Sequence, residues 1–561
     1  MPAKALVLGF LLTLLCPLLN AQTAGGGFER EMKFLGDNSY DLFGLSLAAL
    51  EDLDGDQIAE LAVGGPGYDS GTTQDVGIVR VYSGAGGDLL WEISGSAYND
   101  DFGLAMAPMD DRNGDGVPEV LVATGEAPDG KLRILSGMDG SFLDEILLPG
   151  SAHGRIRELA TLADVNGDGV SDLVVGSSGA DSNGLNNNGA VLVVSGASLA
   201  VLWQQEGDVD TAYLGTSVAN AGDVNGDGYE DVLGGALWAE PNGISRAGSA
   251  FLYSGTDGQI LYRWDGTMQD QRFGEVVSSA GDANGDGVLD CAVTALADAQ
   301  GGGSWQGSVS VYSGADGQLI YKVFGSEDFA DLGIALACAG DVDQDGKDDL
   351  WMASAEFNGR VHLYSGDSGY RLFSQEPEST YGSSYQDLGV EIVGLGDFNG
   401  DGNLNYFTSD PGVEYKGAAY LMSFRPFIQA STHTLSAASG GTVQYDLDFP
   451  GDWHLYPDLF YALLASGAGQ GPTLLAGYWI PLTPDALYSQ TLAGQYPAVV
   501  QNGAGALDAD GNAVVTLSFP PGAASGLINQ TFHLAAVSYE YAPWVTVFHG
   551  VSRPVTLTIL P

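Results

Sequence analysis

Seven short acidic loops recur along the 561-residue chain, and their side chains are those that gather oxygen ligands around a hard cation. They begin at Asp52, Asp111, Asp164, Asp223, Asp282, Asp341 and Asp397, at intervals of 53 to 59 residues. The central copies read D-x-N-G-D-G-x-x-D. Side-chain oxygens at positions one, three, five and nine, with the carbonyl of position seven, supply about five to seven oxygens to one ion. That set suits calcium better than the strict octahedron of magnesium. Glycine at position six lets the backbone turn at positive φ. An EF-hand would carry its bidentate acid at position twelve between helices. Here the acid stands at nine between strand-like segments, so the EF-hand reading fails.

The loops differ in completeness. The third, fourth and fifth hold full sets: Asp164, Asn166, Asp168 and Asp172; Asp223, Asn225, Asp227 and Asp231; Asp282, Asn284, Asp286 and Asp290. The sixth, with Asp341, Asp343, Asp345 and Asp349, is the most acidic. The second has Asp111, Asn113 and Asp115, with Glu119 reaching in from position nine. The first has Asp52, Asp54, Asp56 and Glu60, but Gln57 stands where glycine is expected, so its turn should be strained. The seventh keeps Asp397, Asn399 and Asp401 and ends in Asn405, which makes it the weakest. Asp-Gly-rich loops are also good turns without any metal. Repetition at constant spacing favours the metal, whereas a lone copy at Asp508–Asn512 reads as a hairpin turn only.

Four short strands position each loop. In the fifth unit Phe273-Gly274 opens a strand that reaches the loop eight residues after the glycine. Asp290–Val293 returns, Ser308–Tyr312 follows a Gly-rich segment, and a Ser-Gly turn at Ser313-Gly314 leads to Gln318–Val323. The Phe/Leu-Gly pair recurs at Gly44, Gly103, Gly215, Gly274, Gly333 and Gly389, and Arg155-Ile156 breaks it in the third unit. Short alternating strands with Gly/Asp turns at fixed period predict β-propeller blades. The seventh unit lacks a fourth strand, and Met32–Gly36 at the other end of the chain matches the missing one. The expected fold is therefore all-β: a seven-bladed propeller closed by the N-terminal strand, which leaves no open edge at the seam.

The Phe-Gly openings, the acidic loops and Gly64-Gly65-Pro66 together resemble the FG-GAP repeats of the integrin α-subunit β-propeller family, over residues 27 to 425. The resemblance implies calcium in the acidic loops, mainly as a structural ion, and ligand contact on the face away from them. In a four-stranded meander that opposite face receives the longer loops. Their aromatic residues Tyr68, Tyr98, Trp238, Trp305 and Tyr385 are the candidate ligand contacts, weighed against simple packing onto their own loops.

From about residue 426 the acids thin out. Alternating runs at Thr442–Leu447 and Val514–Phe519 predict a C-terminal β-sandwich spanning 426–561, with Val551–Leu560 as its last strand. At the other end, Lys4, an apolar run from Ala5 to Leu19 and a small-residue exit read as a signal peptide over residues 1–24. That run is too short for a comfortable membrane span, and no other long apolar stretch follows. A secreted or cell-surface protein is expected. The net charge of −53 speaks against nucleic-acid partners, which need cationic side chains to neutralise phosphate. Cys291 and Cys338 sit at strand positions and read as buried thiols or as one disulfide between blades.

The functional expectation is a calcium-stabilised binding module for an extracellular protein or glycan ligand, in adhesion or matrix contact. An extracellular polysaccharide lyase or hydrolase on the same scaffold is the alternative, and a structural envelope protein is a third. The six histidines show no metal spacing, and no G-x-S-x-G or Cys/His constellation occurs, so no catalytic residue is nominated.

Overall fold

The computed structural model describes residues 24–125, 130–148, 156–300, 303–342, 345–356, 359–366, 368–375, 388–400, 403–426, 428–431, 434–448, 460–468, 472–475, 478–482, 486–493, 495–507, 512–542, 545–552 and 555–561. The expected signal segment, Asp343, Asp401, Tyr385 and the control turn at 508–511 lie outside these residues. The chain is all-β apart from one seven-residue α-helix, Ala486–Leu492, and short 3-10 turns among the described residues. Among the described residues, no helix is long and apolar enough to cross a membrane.

Four-stranded antiparallel sheets succeed one another along the chain. Sheet I comprises Ser46–Ala49, Leu61–Gly65, Ile78–Tyr82 and Leu89–Ser94. Sheet II comprises Met106–Met109, Glu119–Ala123, Lys131–Ser136 and Phe142–Leu147. Sheet III comprises Ile156–Leu162, Asp172–Ser177, Ala190–Val194 and Val201–Glu206. Sheet IV comprises Leu214–Gly222, Asp231–Ala236, Ser249–Tyr253 and Ile260–Asp265. Sheet V comprises Phe273–Gly281, Asp290–Ala295, Ser308–Tyr312 and Leu319–Phe324. Sheet VI comprises Leu336–Gly340, Asp349–Ser354, Arg360–Tyr364 and Arg371–Gln375. Sheet VII has Ile392–Gly396, Leu404–Asp410 and Ala418–Pro426 from its own unit. Its fourth strand is Ala24–Leu35, paired antiparallel from Gly26↔Pro426 to Leu35↔Ala418.

The second strands of sheets I to VI are buried along their whole length, whereas the fourth strands are largely exposed or half-buried. A strand covered on both faces reads as a continuous apolar run rather than an alternation, and Leu61-Ala62-Val63 and Leu173-Val174-Val175 have that character. The core is accordingly a series of layers between sheets. Apolar clusters join I to II, II to III, III to IV, IV to V, V to VI and VI to VII. A further cluster joins VII back to I through Phe407, Leu421, Leu61 and Tyr82.

The Phe/Leu-Gly pair acts at these seams. Gly44, Gly103, Gly215 and Gly274 all have φ between 79° and 93°. A Cβ on each would fall within 2.8 Å of the carbonyl oxygen opening the third strand of the preceding sheet, at Ala418, Ile78, Ala190 and Ser249. Both the left-handed backbone and the close approach require glycine. The Gly44–Ala418 contact repeats between VII and I the contact made inside the series.

The C-terminal region forms two further groups of strands. Ile428–Ala430, Gly441–Asp448, Asn512–Phe519 and Val500–Gln501 make one sheet, in which the two expected alternating runs pair with each other. Phe460–Ser466, Thr531–Ala542, Val545–Ser552 and Val555–Leu560 belong to the other, and a single apolar cluster takes side chains from both. The expected last strand, 551–560, is two: Val545–Ser552 and Val555–Leu560 each pair with Thr531–Ala542. The sequence puts Pro554 at the break, and proline has no N–H to give a ladder. The N-terminal strand also runs beyond sheet VII. Its Ala24 and Gly25 pair in parallel with Val551 and Ser552, which joins the two regions in one ten-stranded sheet. Alternation in Met32–Gly36 carried no sign of this second role.

Phe34 marks the seam. It is 6% exposed, stacks on Tyr82 of sheet I at 4.2 Å between ring centroids and meets Phe407 of sheet VII edge-on. Phe34→Ala should cost about 3–5 kcal/mol by denaturant unfolding, the usual range for a deleted buried aromatic. A cost below about 1 kcal/mol would mean that the N-terminal strand contributes little to this seam.

Candidate metal centres and the opposite loop face

Each acidic loop joins the first and second strands of its sheet, and the first six share one hydrogen-bonding plan. The carboxylate at position one accepts backbone N–H groups across the turn. Asp164 accepts from Gly167 at 2.6 Å and Gly169 at 2.7 Å, and Asp282 from Gly285 at 2.8 Å and Gly287 at 2.9 Å. Asp52, Asp111, Asp223 and Asp341 do the same. The acid at position five accepts the N–H of position seven in the first six loops, as Asp56 does from Ile58 at 2.8 Å. The Asx-turn content of the motif therefore needs no ion.

Position nine is buried and ties the loop to the rest of its sheet. Asp172, Asp231, Asp290 and Asp349 are fully buried. One oxygen of each accepts the N–H of the Ser-Gly turn glycine, Gly196, Gly255, Gly314 or Gly366, at 3.0 to 3.1 Å. The other accepts an N–H from position two or three. The Ser-Gly turn thereby acquires a reason. A Cβ on its glycine would lie about 2 Å from the carbonyl oxygen of position eight, as at Gly196 against Ser171.

The third position separates the loops chemically. In the third, fourth and fifth, the Asn166, Asn225 and Asn284 amides donate to the position-nine carboxylate at 3.0 to 3.2 Å. In the second, Asn113 donates instead to Asp115 at 2.9 Å, and Glu119 takes the N–H groups of Arg112 and Asn113. The first loop has Asp54 at this position, which offers acceptors only. Glu60 is fully buried, its Oε2 accepts the Leu53 N–H at 2.6 Å, and its Oε1 has no partner. One oxygen each from Asp52, Asp54, Asp56 and Glu60 lie within 4.8 Å of one another, the one such convergence of acids among the described residues. Four carboxylates and an orphaned buried oxygen fit a hard divalent cation, with Ile58 offering the position-seven carbonyl.

The electrostatics agree. Burial pushes Glu60 up to about 7, and the charges of Asp54, Asp52 and Asp56 add to the rise while the Leu53 N–H opposes it. Burial raises Asp231 and Asp290 to about 6, against the glycine N–H groups that pull them down. Without a cation these acids resist ionisation. Gln57 takes φ 74° where its counterparts Gly116, Gly169, Gly228, Gly287 and Gly346 take 87° to 92°. The expected strain is real, yet this loop gathers its acids most closely.

The remaining candidates are only partly brought together. Asp341, Asp345 and Asp349 lie on the sixth loop, and Asp397 and Asn399 on the seventh. The seventh ends in buried Asn405, whose Oδ1 accepts the Phe398 N–H. Glu31 of the N-terminal strand stands 3.4 Å from the Asn399 amide and brings the seventh loop an acid that its own segment lacks. Glu31 was legible only after strand pairing was known.

On the opposite face, Tyr98 is 66% and Trp305 42% exposed. Tyr68 packs against the cluster between sheets VII and I. Trp238 meets Tyr213 edge-on at 5.0 Å and carries the Arg246 guanidinium over its ring. Tyr40, 74% exposed, and Phe329, 66% exposed, were missed. Both stand four residues before a Phe/Leu-Gly glycine and have φ near 70° and 60°. Asn99, Thr211 and Asp270 hold the same place with positive φ, so reading that fixed offset would have found the pair. Cys291 is buried, Cys338 is half-buried, and both are free thiols.

Comparison with known proteins agrees with this geometry. The FG-GAP repeat profile matches residues 43–82, 157–194 and 214–253, and an FG-GAP-like repeat profile matches 111–175. The chain carries FG-GAP repeats. Among curated proteins it is similar to integrin alpha-V of Gallus gallus, 35% identical over 167 residues, which is 28% of this chain and 16% of that one. It is also similar to integrin alpha-5 of Xenopus laevis, 32% identical over 250 residues, 41% of this chain and 22% of the relative. The chain thus spans less than a quarter of the length of these curated relatives.

Two outcomes follow. Gln57→Gly removes a left-handed side chain and should stabilise the protein by about 1 kcal/mol in denaturant unfolding. Unchanged stability would show the turn to be unstrained. The second concerns Glu391, beside the first strand of sheet VII. Burial and then the Glu158 charge push it up to about 8, with Arg157 opposing. Its ordinary value is 4.5, so the folded state holds the extra proton between about 4.5 and 8, and stability is lost as pH rises through that window. Glu391→Gln should raise the melting temperature at pH 9 by roughly 2–4 °C, the shift expected of about 1 kcal/mol, and leave it unchanged at pH 4. An equal gain at both pH values would assign the effect to packing.

Proposed function

We propose that the chain is an exported, calcium-stabilised binding module built on a seven-bladed β-propeller, acting in adhesion or in contact with extracellular matrix protein or glycan. The observation that carries this reading is the first acidic loop, where four carboxylates converge and buried Glu60 keeps an unpartnered oxygen. Five further loops of the same plan and a seventh, less complete one follow at matching positions. Residues 27–425 form the propeller in this reading, closed by the N-terminal strand, and 426–561 form a C-terminal β-sandwich. The apolar layer between sheets VII and I and the repeated glycine contact there support ring closure. Residues 1–24 serve as the signal peptide.

Calcium would be held by Asp52, Asp54, Asp56 and Glu60 in the first loop and by the corresponding residues of the others, the seventh least well. Bound calcium supplies positive charge that lets crowded acids ionise together. Where Asn166, Asn225 or Asn284 now donates to the ninth residue, the amide turns its oxygen inward instead. At millimolar calcium and weak extracellular-type affinity, each loop stabilises the fold by about 1 kcal/mol, and several loops add. The ion leaves the opposite face free for ligand, where the exposed rings of Tyr40, Tyr98, Trp305 and Phe329 sit on a rigid scaffold. The similarity to integrin α subunits favours adhesion over the enzymatic alternative.

Calorimetric titration of the chain without its signal segment should show several calcium equivalents. Chelator should lower the melting temperature by roughly 10 °C, as several loops at about 1 kcal/mol each imply. Absence of both heat and shift would leave the loops as turns. Immobilised matrix proteins and glycans should capture the protein in calcium and release it with chelator, and failure across such a panel would overturn the adhesion reading.

A further inference from the structure

We propose that neighbouring acidic loops bind their cations cooperatively, because the eighth residue of the third to sixth loops clasps the start of the loop before it. The inference rests on the calcium reading above and concerns residues outside the cation's own ligand set.

The clasp recurs along the series in different chemistry. Between sheets II and III, the Ser171 N–H donates to Asp110, the residue before the second loop, at 2.7 Å. Between III and IV, Glu230 Oε2 accepts the N–H of Ala163, the residue before the third loop, at 2.6 Å, and the Asn220 amide at 2.7 Å. Between IV and V, Leu289 packs against Gly222, where a Cβ would lie 2.4 Å from its Cδ1. Between V and VI, Asp348 closes a reciprocal pair with Asp282. Its carboxylate accepts the Asp282 N–H at 2.8 Å and its own N–H donates to the Asp282 carbonyl at 3.1 Å. Gly281 leaves room for this approach, since a Cβ there would strike the Asp348 carboxylate.

The position of the clasp gives it consequence. The eighth residue stands between the seventh carbonyl and the ninth acid, both of which the cation would hold. The clasped segment begins with the position-one acid of the other loop. A cation in either loop therefore fixes one end of the shared contact, and the second cation has less left to order. Coupling of this kind is reciprocal between the two loops. Two cations acting only through their charges would have the opposite sign, since each would weaken the other's binding. The carboxylates of Asp110, Glu230 and Asp348 offset that repulsion at the three polar clasps.

Terbium luminescence on the full chain without its signal segment tests the pair III and IV. Tyr229 at position seven of the fourth loop is partly exposed and serves as the antenna, and the signal that Tyr229→Phe removes belongs to that loop. Asp164→Asn, which disables the third loop, should weaken terbium binding at the fourth by about 5- to 10-fold, within the usual range of coupling between sites. Glu230→Ala should weaken it similarly, and the double variant should show no further loss. Glu230→Gln keeps an acceptor for the Ala163 N–H and should retain the coupling, which guards against a fold defect in the alanine variant. Unchanged or tighter binding in Asp164→Asn would overturn the proposal, as would loss of coupling in Glu230→Gln. Absence of terbium and calcium binding in the parent protein would instead remove the calcium reading and the coupling with it.

Discussion

A sheet of four short strands cannot cover its own two apolar faces, and every other feature of this chain answers that constraint. Each sheet buries its faces against the sheet before and the sheet after, so the core is a succession of layers rather than one interior. Such a series would leave an uncovered face at each end. Here Phe407 and Leu421 of the last sheet share a cluster with Leu61 and Val63 of the first, and Phe34 lies in the same layer. The N-terminal strand supplies the missing fourth strand to sheet VII, and its first residues pair on with the C-terminal sheet.

Close packing of the sheets explains the glycines and the buried acids together. The Phe/Leu-Gly glycines let one sheet's opening strand meet the preceding sheet's third strand backbone to backbone. The Ser-Gly glycines do the same within a sheet against the carbonyl of loop position eight, and they offer an N–H to the acid at nine. That acid is buried because the strand it opens is buried, and its desolvation is offset by fixed backbone donors. In the third, fourth and fifth loops the position-three amide adds a second donor to the oxygen that already takes the glycine N–H. In the first loop, with Asp54 at position three and Glu60 at nine, the Glu60 Oε1 is left without a donor and four carboxylates gather.

Much of the candidate site was legible in the sequence because its ligands are local. Nine consecutive residues hold all the side chains of one loop, and their spacing survives any arrangement of the sheets. The strain at Gln57 was legible for the same reason, since the conformation at position six is set by the turn itself. Glu31 beside Asn399, the orphaned Glu60 oxygen and the contacts of Glu230 and Asp348 were not legible. The contacts of Glu31, Glu230 and Asp348 depend on which strands lie side by side, with partners 66 to 368 residues away, and the orphaned oxygen depends on burial in the packed sheet. The aromatic face was read only in part. Tyr68 and Trp238 are held by packing, whereas Tyr40 and Phe329 are exposed by a left-handed backbone at a fixed offset that composition does not disclose.

The sequence by itself determined the repeated unit, its all-β character, the acidic loops and the chemistry of their ligands. Those properties follow from short-range spacing, turn residues and strand periodicity, which act within a few residues of one another. Tertiary structure alone decided how the N-terminal strand joins the seventh sheet to the C-terminal region, which loop gathers its acids into one cluster, and which rings stay open to solvent. These depend on contacts between distant segments, where backbone proximity, burial and desolvation are set by the packing of whole sheets.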